Sequence, residues 1–318
     1  MSIHLHLLGG AGRIGSALVD SLLADPLEDL SSIYVYCDST KALHIKTSNS
    51  PEGHPHLYAV GYSSFAISPL YCNGLASPDD AQIVVNLRGV NTKKLWLNQP
   101  LDALELQTKS CKLLVDSDLW MHRRVSIIHL SSQLCDLIES PMPLNEICEG
   151  QESYRRPYMV SRLHQEAMLS AYAYKYATPT IFVRLPAVYG FSDDSKSPWV
   201  LNAFVKQKRK NQTAIPRNPQ GLVNLTHRIP LISFLRSIIV RNEILHDSLT
   251  VRYLRPPMLQ MSVQALSSLV NTHGEAGISS TAMESDIALL EDSQNNIYAR
   301  SNHLQLLKSA IDELLNHE

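Results

Sequence analysis

The chain has 318 residues and a formal charge of −2, with 44% hydrophobic and 18% charged residues. That length can bury a sizeable core, the composition is that of an ordinary soluble enzyme, and the near-neutral balance gives no general reason to bind nucleic acid. No apolar run approaches the roughly 18–20 residues of a membrane span. Met1-Ser2-Ile3-His4 also lacks the basic start of a signal peptide. Five scattered cysteines (37, 72, 111, 135, 148) with no Cys-x-x-Cys pair argue against a disulfide frame or a zinc site and for a cytoplasmic setting.

The first element is a short apolar strand, Leu5-His6-Leu7-Leu8, running into Gly9-Gly10-Ala11-Gly12-Arg13-Ile14-Gly15. Helical spacing continues from Ser16 to Leu23. Glycines at 9, 12 and 15 suit a turn that holds a pyrophosphate. One permits the tight turn, one lets backbone N–H groups approach phosphate oxygens, and one lets the helix pack close to the strand. A flexible turn would carry the same letters, and the N-terminal strand–turn–helix setting is what favours the fingerprint. The next strand, Ser32 to Cys37, ends at Asp38, about twenty residues on, where an acidic side chain accepts hydrogen bonds from a cofactor ribose. A dinucleotide site preferring NAD is expected. Arg13 and Lys41 lie close enough in sequence to keep NADP as the alternative.

Ser39 to Asp80, rich in Ser, Pro and His, shows only a weak strand near Leu57 to Val60. Gln82 to Leu87 reads as a buried parallel strand ending at the Arg88-Gly89 turn. A long helix is expected from about Leu101 to His122, then a strand from Val125 to Leu130 ending in Ser131-Ser132. After a loop with Pro141, Pro143 and Gly150, a helix opens near Tyr158. The strand Thr180 to Leu185 leads on to Pro186-Ala187-Val188-Tyr189-Gly190.

Beyond Gly190 the composition changes, with a polar run from Ser192 to Lys196 and a basic one from Lys206 to Lys210. A strand at Val223 to His227 feeds a helix at Leu231 to Val240. Another strand at Thr250 to Leu254 precedes a helix capped by Ser262, and an amphipathic helix from Leu304 to Leu315 closes the chain. The order of elements predicts an α/β fold: a Rossmann-type doubly wound parallel sheet over residues 1–190 with a returning segment near 223–242, and a smaller substrate lobe over 191–318.

Ser132, Tyr158 and Arg162 are the suggestive constellation. Ser132 ends a parallel strand, where open α/β sheets place their ligands. Tyr158 and Arg162 lie four apart, so they share one helix face. A phenol exchanges a proton with a substrate hydroxyl or carbonyl, and a fixed cation nearby favours its ionised form. A serine hydroxyl orients the same oxygen. By spacing alone the blander alternative is the stronger: Tyr158 caps a helix and Arg162 points into water.

The motifs together change that balance. They are Gly9-x-x-Gly12-x-x-Gly15, Asp38, the strand into Ser131-Ser132, Tyr158-x-x-x-Arg162 with Glu166, Arg184-x-x-x-Val188-Tyr189-Gly190, Val223 to His227, and Ser262 to Leu266. Through them the chain resembles the extended short-chain dehydrogenase/reductases, in the NAD-dependent epimerase/dehydratase-like branch. The resemblance implies Ser132, Tyr158 and Arg162 as the catalytic set. It also implies cofactor contacts from Gly9, Gly12, Arg13, Ile14, Gly15, Asp38, Leu87, Arg88, Gly89, Tyr158, Arg162, Leu185 and Val188. A homodimer built on the helices at Leu101 to His122 and at Tyr158 goes with it.

The departures narrow the chemistry. Arg162 stands in place of the family's lysine. Arg228-Ile229-Pro230-Leu231 follows His227 where an aspartate-bearing segment is usual. Val223 occupies the position of a diphosphate-binding arginine in many nucleotide-sugar members. Gln133-Leu134 replaces the Asp-Glu pair of 4,6-dehydratases, so dehydration is disfavoured. The leading expectation is an NAD(P)-dependent oxidoreductase interconverting a secondary alcohol and a ketone on a sugar-like or other small polar substrate. A nucleotide-sugar epimerase is the second, and a cofactor-binding sensor or scaffold without turnover the third.

Other features read as structural. The 13 histidines include His4/His6 and His54/His56, with no carboxylate or cysteine at metal-ligand spacing, so no metal is expected. Lys206 to Lys210 reads as a solvated helix end. Its minority reading, with Arg217, Arg252 and Arg255, is a clamp for an anionic substrate. Tyr172, Tyr174 and Tyr176 are expected to pack a helix interface, and Cys135 has no adjacent base to make it a nucleophile.

Overall fold

The structure is a computed structural model that describes residues 2–37, 55–62, 65, 76–89, 93–122, 124–139, 155–191, 200–216, 218–240, 250–272, 287–290 and 297–316. The chain divides into two units, Met1–Arg184 with Leu235–Leu254, and Leu185–Phe234 with Arg255–Glu318. The segment that rejoins the first unit thus lies later than the 223–242 expected.

In the first unit, β1 (Ile3–Leu8), β2 (Leu30–Cys37), β3 (His56–Gly61), β4 (Ala81–Asn86), β5 (Val125–Ser132), β6 (Thr180–Leu185) and β9 (Val251–Leu254) form one sheet in the order β3-β2-β1-β4-β5-β6-β9. The pairs β1–β2, β1–β4, β2–β3, β4–β5 and β6–β9 run parallel. Both faces of the central strands are buried, so β1, β4 and β5 are buried at every residue and rich in Val, Ile and Leu. The helices around them are α1 (Arg13–Ala24), α2 (Lys93–Asn98), α3 (Pro100–Val115), α4 (Leu134–Glu139) and α5 (Arg155–Tyr176). This is the Rossmann-type order, with the reversal point between β1 and β4.

The histidines of β1 alternate into a polar stripe of the core. His4 Nδ1 lies 2.6 Å from Ser32 Oγ. Tyr36 Oη donates to His6 Nδ1 at 3.1 Å, and His6 Nε2 donates to Gln82 Oε1 at 2.9 Å. Burial holds the His6 pKa down to about 4, and its ring stacks on Tyr34 at 4.9 Å.

One long helix to His122 does not form. α3 ends at Val115, and a separate 3-10 turn spans Asp118–Met121. The carbonyl of Leu114 accepts from both Ser117 Oγ and the Trp120 indole N–H, each at 2.7 Å, which closes the helix and folds Trp120 back. Trp120 then packs against Tyr172 and Tyr176 of α5, while Tyr174 faces outward.

In the second unit, β7 (Ala187–Tyr189), β8 (Leu222–His227), β10 (Met258–Ser262) and β11 (Ile287–Leu290) form a sheet in the order β11-β10-β8-β7. The helix α7 (Arg228–Val240) follows β8 directly. A core of Phe204, Leu259, Leu266, Leu307 and Ile311 joins the sheet to α6 (Val200–Arg209), α8 (Val263–Asn271) and α9 (Ile297–Asn316). Ser262 caps α8, its Oγ accepting from Ala265 N–H at 3.0 Å. The basic run serves helix ends. Lys208 Nζ donates to the Asn271 carbonyl at 2.7 Å, and Arg209 donates to the Leu314 carbonyl, so cations sit at the negative C-termini of α8 and α9.

Candidate active site

At the C-terminal end of β1 each glycine has a separate reason. Gly9 has φ +84°, the left-handed region. At Gly15 a Cβ would lie 2.4 Å from the Gly10 carbonyl oxygen and 2.5 Å from its Cα, a backbone-to-backbone approach that only glycine allows. Gly12 is the N-cap of α1, with no side-chain cap and no acid in the first turn, and a helix start of that kind suits an anion. Gly10, absent from the expected set, is as constrained as its neighbours: a Cβ there would meet Val35 Cγ1 at 2.8 Å and Leu7 Cβ at 2.9 Å. The adjacent Gly-Gly was its signal. Ile14 is half-buried and Arg13 exposed. The cradle therefore fits a dinucleotide pyrophosphate.

The neighbouring strand brings the next expected residues to the same turn. Leu87 N–H donates to the Leu8 carbonyl at 2.8 Å, extending the β1–β4 ladder by one residue. Asn86, at the end of β4, accepts the Arg88 N–H on its Oδ1 at 3.2 Å and donates through Nδ2 to His129 Nδ1 at 3.0 Å. His129 is fully buried, and burial with the charge of Arg162 pushes its pKa down to about 3, so it serves as a neutral acceptor. Asn86 and His129 were not in the expected set. Asn86 closes β4 and His129 lies within β5, and a polar side chain in a buried parallel strand was the signal for each.

Arg162 is not a surface residue. It is 5% exposed, and its Nε donates to Tyr158 Oη at 3.3 Å. Its Nη1 donates to the Leu130 carbonyl of β5 at 3.1 Å and to Gln165 Oε1 at 3.4 Å. Its Nη2 presses against Gly89, where a Cβ would lie only 2.1 Å away. Gly89 is thus required by the guanidinium. Tyr158 does not cap its helix but sits inside α5, half-buried, its ring edge-on to Trp96 at 5.8 Å. Ser132 ends β5, two residues beyond the Leu130 carbonyl that Arg162 holds, and its Oγ accepts from Leu134 N–H at 3.3 Å. The structure therefore brings Tyr158, Arg162 and Gly89 together and ties them to the strand that carries Ser132.

Glu166, one turn after Arg162, binds elsewhere. Arg184 donates from Nε and Nη2 to its two oxygens at 3.2 and 2.7 Å, and from Nη1 to Asp136 Oδ1 at 2.6 Å. The Arg184–Glu166 pair is buried and Asp136 is half-buried, and together they tie α5 and α4 to β6. Cys111 and Cys135 have pKa values pushed up to about 12 and about 11, chiefly by burial, so both are inert thiols.

In the second unit, Leu185 and Val188 are half-buried, and Val188 pairs with Thr226 in β7–β8. His227 accepts the Ile229 N–H on Nδ1 at 3.3 Å, and its ring fills the space over Gly190, where a Cβ would lie 2.2 Å from Nε2. Here the imidazole caps α7 in the absence of an aspartate, and Pro230 has no N–H to satisfy. Burial, first, and Arg228 hold the His227 pKa down to about 4, which suits an acceptor. Among the described residues no three potential metal ligands cluster, and no helix is long and apolar enough to cross a membrane. Asp38, Lys41, His54, Cys72, Pro141, Pro143, Cys148, Gly150, Ser192 to Lys196 and Arg217 lie outside the described residues.

The NAD-dependent epimerase/dehydratase family matches the chain over residues 5–227, from the first strand through β8. The chain belongs to that family. Its members are NAD-dependent enzymes of the extended short-chain dehydrogenase/reductase type, so NAD is the cofactor here as the sequence led us to expect. Solved structures with the same fold include a UDP-glucose 4-epimerase of Thermus thermophilus in complex with NAD, 16% identical, TM-score 0.61, covering 99% of this chain and 100% of that one. TunA, an NAD-dependent NDP-hexosamine 5,6-dehydratase involved in tunicamycin biosynthesis, is 15% identical with TM-score 0.62, covering 99% and 98%. WbmF of Bordetella bronchiseptica in complex with NAD+ is 14% identical with TM-score 0.57, covering 98% and 95%. Among curated protein sequences none matches.

Proposed function

We propose that this family member interconverts a secondary alcohol and a ketone on a sugar-like substrate, with Tyr158 moving the proton. The observation that carries this is the hydrogen bond from a buried, pinned Arg162 to Tyr158 Oη at 3.3 Å. Bound NAD supplies a hydride acceptor and its reduced form a donor. The chain's own residues do the rest. The first turn of α1 and the glycines before it hold the pyrophosphate, with Asp38 reserved for the ribose. Arg162 places a permanent positive charge and a donor beside the phenolic oxygen, which fixes where that oxygen sits. Tyr158 takes the substrate hydroxyl proton, or returns it to a carbonyl, and Ser132 orients the same oxygen.

A nucleotide-sugar epimerase is the second reading. It uses the same proton transfer twice, and the solved epimerases of this fold favour it. Such a substrate carries the anionic diphosphate that the sequence left open. A homodimer through α3 and α5 goes with either reading, since Leu101, Val160 and Tyr174 on those helices stand 79%, 53% and 67% exposed. Buried thiols at Cys111 and Cys135 suit a reducing cytoplasm.

The test is titration of the protein with NAD, followed by product analysis over a panel of nucleotide sugars and simple polyols. Tyr158→Phe keeps the ring against Trp96 and loses only the proton. We expect unchanged cofactor affinity and turnover lower by roughly 10²–10⁴-fold. Full activity in the Phe variant assigns proton transfer to another group and ends this proposal.

A further inference from the structure

Two buried glutamines behind Arg162 have no part in the chemistry above. Gln165 lies three residues after Arg162 on α5, Gln107 lies on α3, and both are wholly buried. Gln165 Nε2 donates to the Gln107 carbonyl at 2.5 Å, and Gln107 Nε2 donates back to Gln165 Oε1 at 2.8 Å. The same Oε1 accepts from Arg162 Nη1 at 3.4 Å. A carbonyl oxygen can only accept, so the Gln107 carbonyl dictates which end of the Gln165 amide is nitrogen and turns the oxygen toward Arg162.

An arginine in this place needs such an acceptor more than a lysine would. An ammonium turns three equivalent donors about its stem, whereas a guanidinium is a rigid plane whose donors point in fixed directions. Nη1 makes two bonds, to the Leu130 carbonyl at 3.1 Å and to Gln165 Oε1 at 3.4 Å. Acceptors on two elements, β5 and α5, thus hold one end of the fork. With that end held and Nη2 against Gly89, Nε is turned to Tyr158 Oη at 3.3 Å. Without the Gln165 oxygen, one contact remains at Nη1 and the plane is free to turn about it.

We propose that Gln165, held by Gln107, is a positioning residue for Arg162: it sets the plane of the guanidinium so that Nε faces Tyr158 Oη. This rests on the reading of Tyr158 and Arg162 as the proton-transfer pair. Gln165 is itself wholly buried, so it touches neither substrate nor cofactor and acts only through Arg162.

The experiment is a double-mutant cycle of Gln165→Met and Arg162→Lys in the full chain, reading kcat, KM and the urea midpoint of each protein. Removing the acceptor misplaces the fork, so Gln165→Met alone lowers kcat by roughly 10- to 100-fold while KM stays within about threefold. In the Arg162→Lys background, whose rotating ammonium has no plane to set, the same substitution changes kcat by less than about threefold. Equal losses of kcat in the two backgrounds overturn the proposal and make the glutamine pair a plain tie between α3 and α5. A second readout needs no substrate. Followed by NMR, the Arg162 Nε–H exchanges slowly with water in the wild type and faster by roughly tenfold or more in Gln165→Met. Unchanged exchange overturns the proposal. Where Gln165→Met does not fold, Gln107→Met takes its place, since it leaves Gln165 whole and removes only the N–H that braces its oxygen. Faster Nε–H exchange in that variant supports the proposal, and unchanged exchange overturns it. A wild-type chain that turns over no alcohol or ketone fails the proton-transfer reading, and Nε–H exchange then still decides the place of Gln165.

Discussion

Gly89→Ala tests whether the position of Arg162 sets the rate. The added Cβ would sit 2.1 Å from Arg162 Nη2 and 3.0 Å from its Cζ, so the guanidinium must retreat by roughly 1.5 Å to reach ordinary contact. It cannot do so freely, because it is 5% exposed and bonded to the Leu130 carbonyl and Gln165. The Nε to Tyr158 Oη bond is already 3.3 Å, at the long end of the useful range, and a retreat of that size breaks it. A misplacement of about 1 Å typically costs on the order of 10²-fold in turnover. Loss of a hydrogen bond to a charged group adds about 1.5–3 kcal/mol of destabilisation. The assay is steady-state kcat and KM with the substrate found above, alongside NAD affinity and urea unfolding. Gly89→Ala/Arg162→Lys is the control, since the slimmer ammonium leaves room for the methyl and restores stability. A Gly89→Ala protein with kcat within about threefold of wild type, far short of the loss expected of a misplaced group, would refute the reasoning.

Three further outcomes are expected. His6 and His129 are neutral when folded, with pKa values held down to about 4 and about 3, and take up a proton near pH 6.5 when unfolded. Their contribution is therefore complete above about pH 6.5 and is lost as pH falls toward 4, by about 1.4 kcal/mol per pH unit for each. Equal urea midpoints at pH 7 and pH 5 would contradict it. Arg184→Met strands Glu166, which is 2% exposed, and should cost about 3–5 kcal/mol by urea unfolding. A loss under about 1 kcal/mol, the scale of a surface pair, would show the triad to be incidental. Finally, light scattering at micromolar concentration should give twice the mass of one chain, and a strictly monomeric mass counts against the α3–α5 interface.

Much of the first unit was legible because its signals are local. A β1 strand of alternating and apolar residues, a run of glycines and a following helical period all lie between Ile3 and Ala24. Each constraint there acts between near neighbours: Gly15 against Gly10, Gly12 at its own helix cap. The Ser262 cap was legible for the same reason, since a hydroxyl meets an N–H three residues on. The alternation of strands and helices likewise announced a parallel sheet, because parallel neighbours need a crossover between them.

What tertiary structure alone decided are the long-range meetings. Spacing put Tyr158 and Arg162 on one helix face but left open whether that face met protein or water. Packing of α5 against the ends of β4 and β5 buries Arg162 and sets it on the Gly89 backbone and the Leu130 carbonyl, contacts 73 and 32 residues away in sequence. The end of α3 was set by the Trp120 indole returning to the Leu114 carbonyl, a bond that no helix period foretells. The basic run of α6 became a pair of helix caps only because the C-termini of α8 and α9 arrive beside it. Sequence determines which groups are present and how near neighbours must turn. Which buried charge finds which distant carbonyl is decided when the elements pack and water leaves, because only then does an unpaired group become costly.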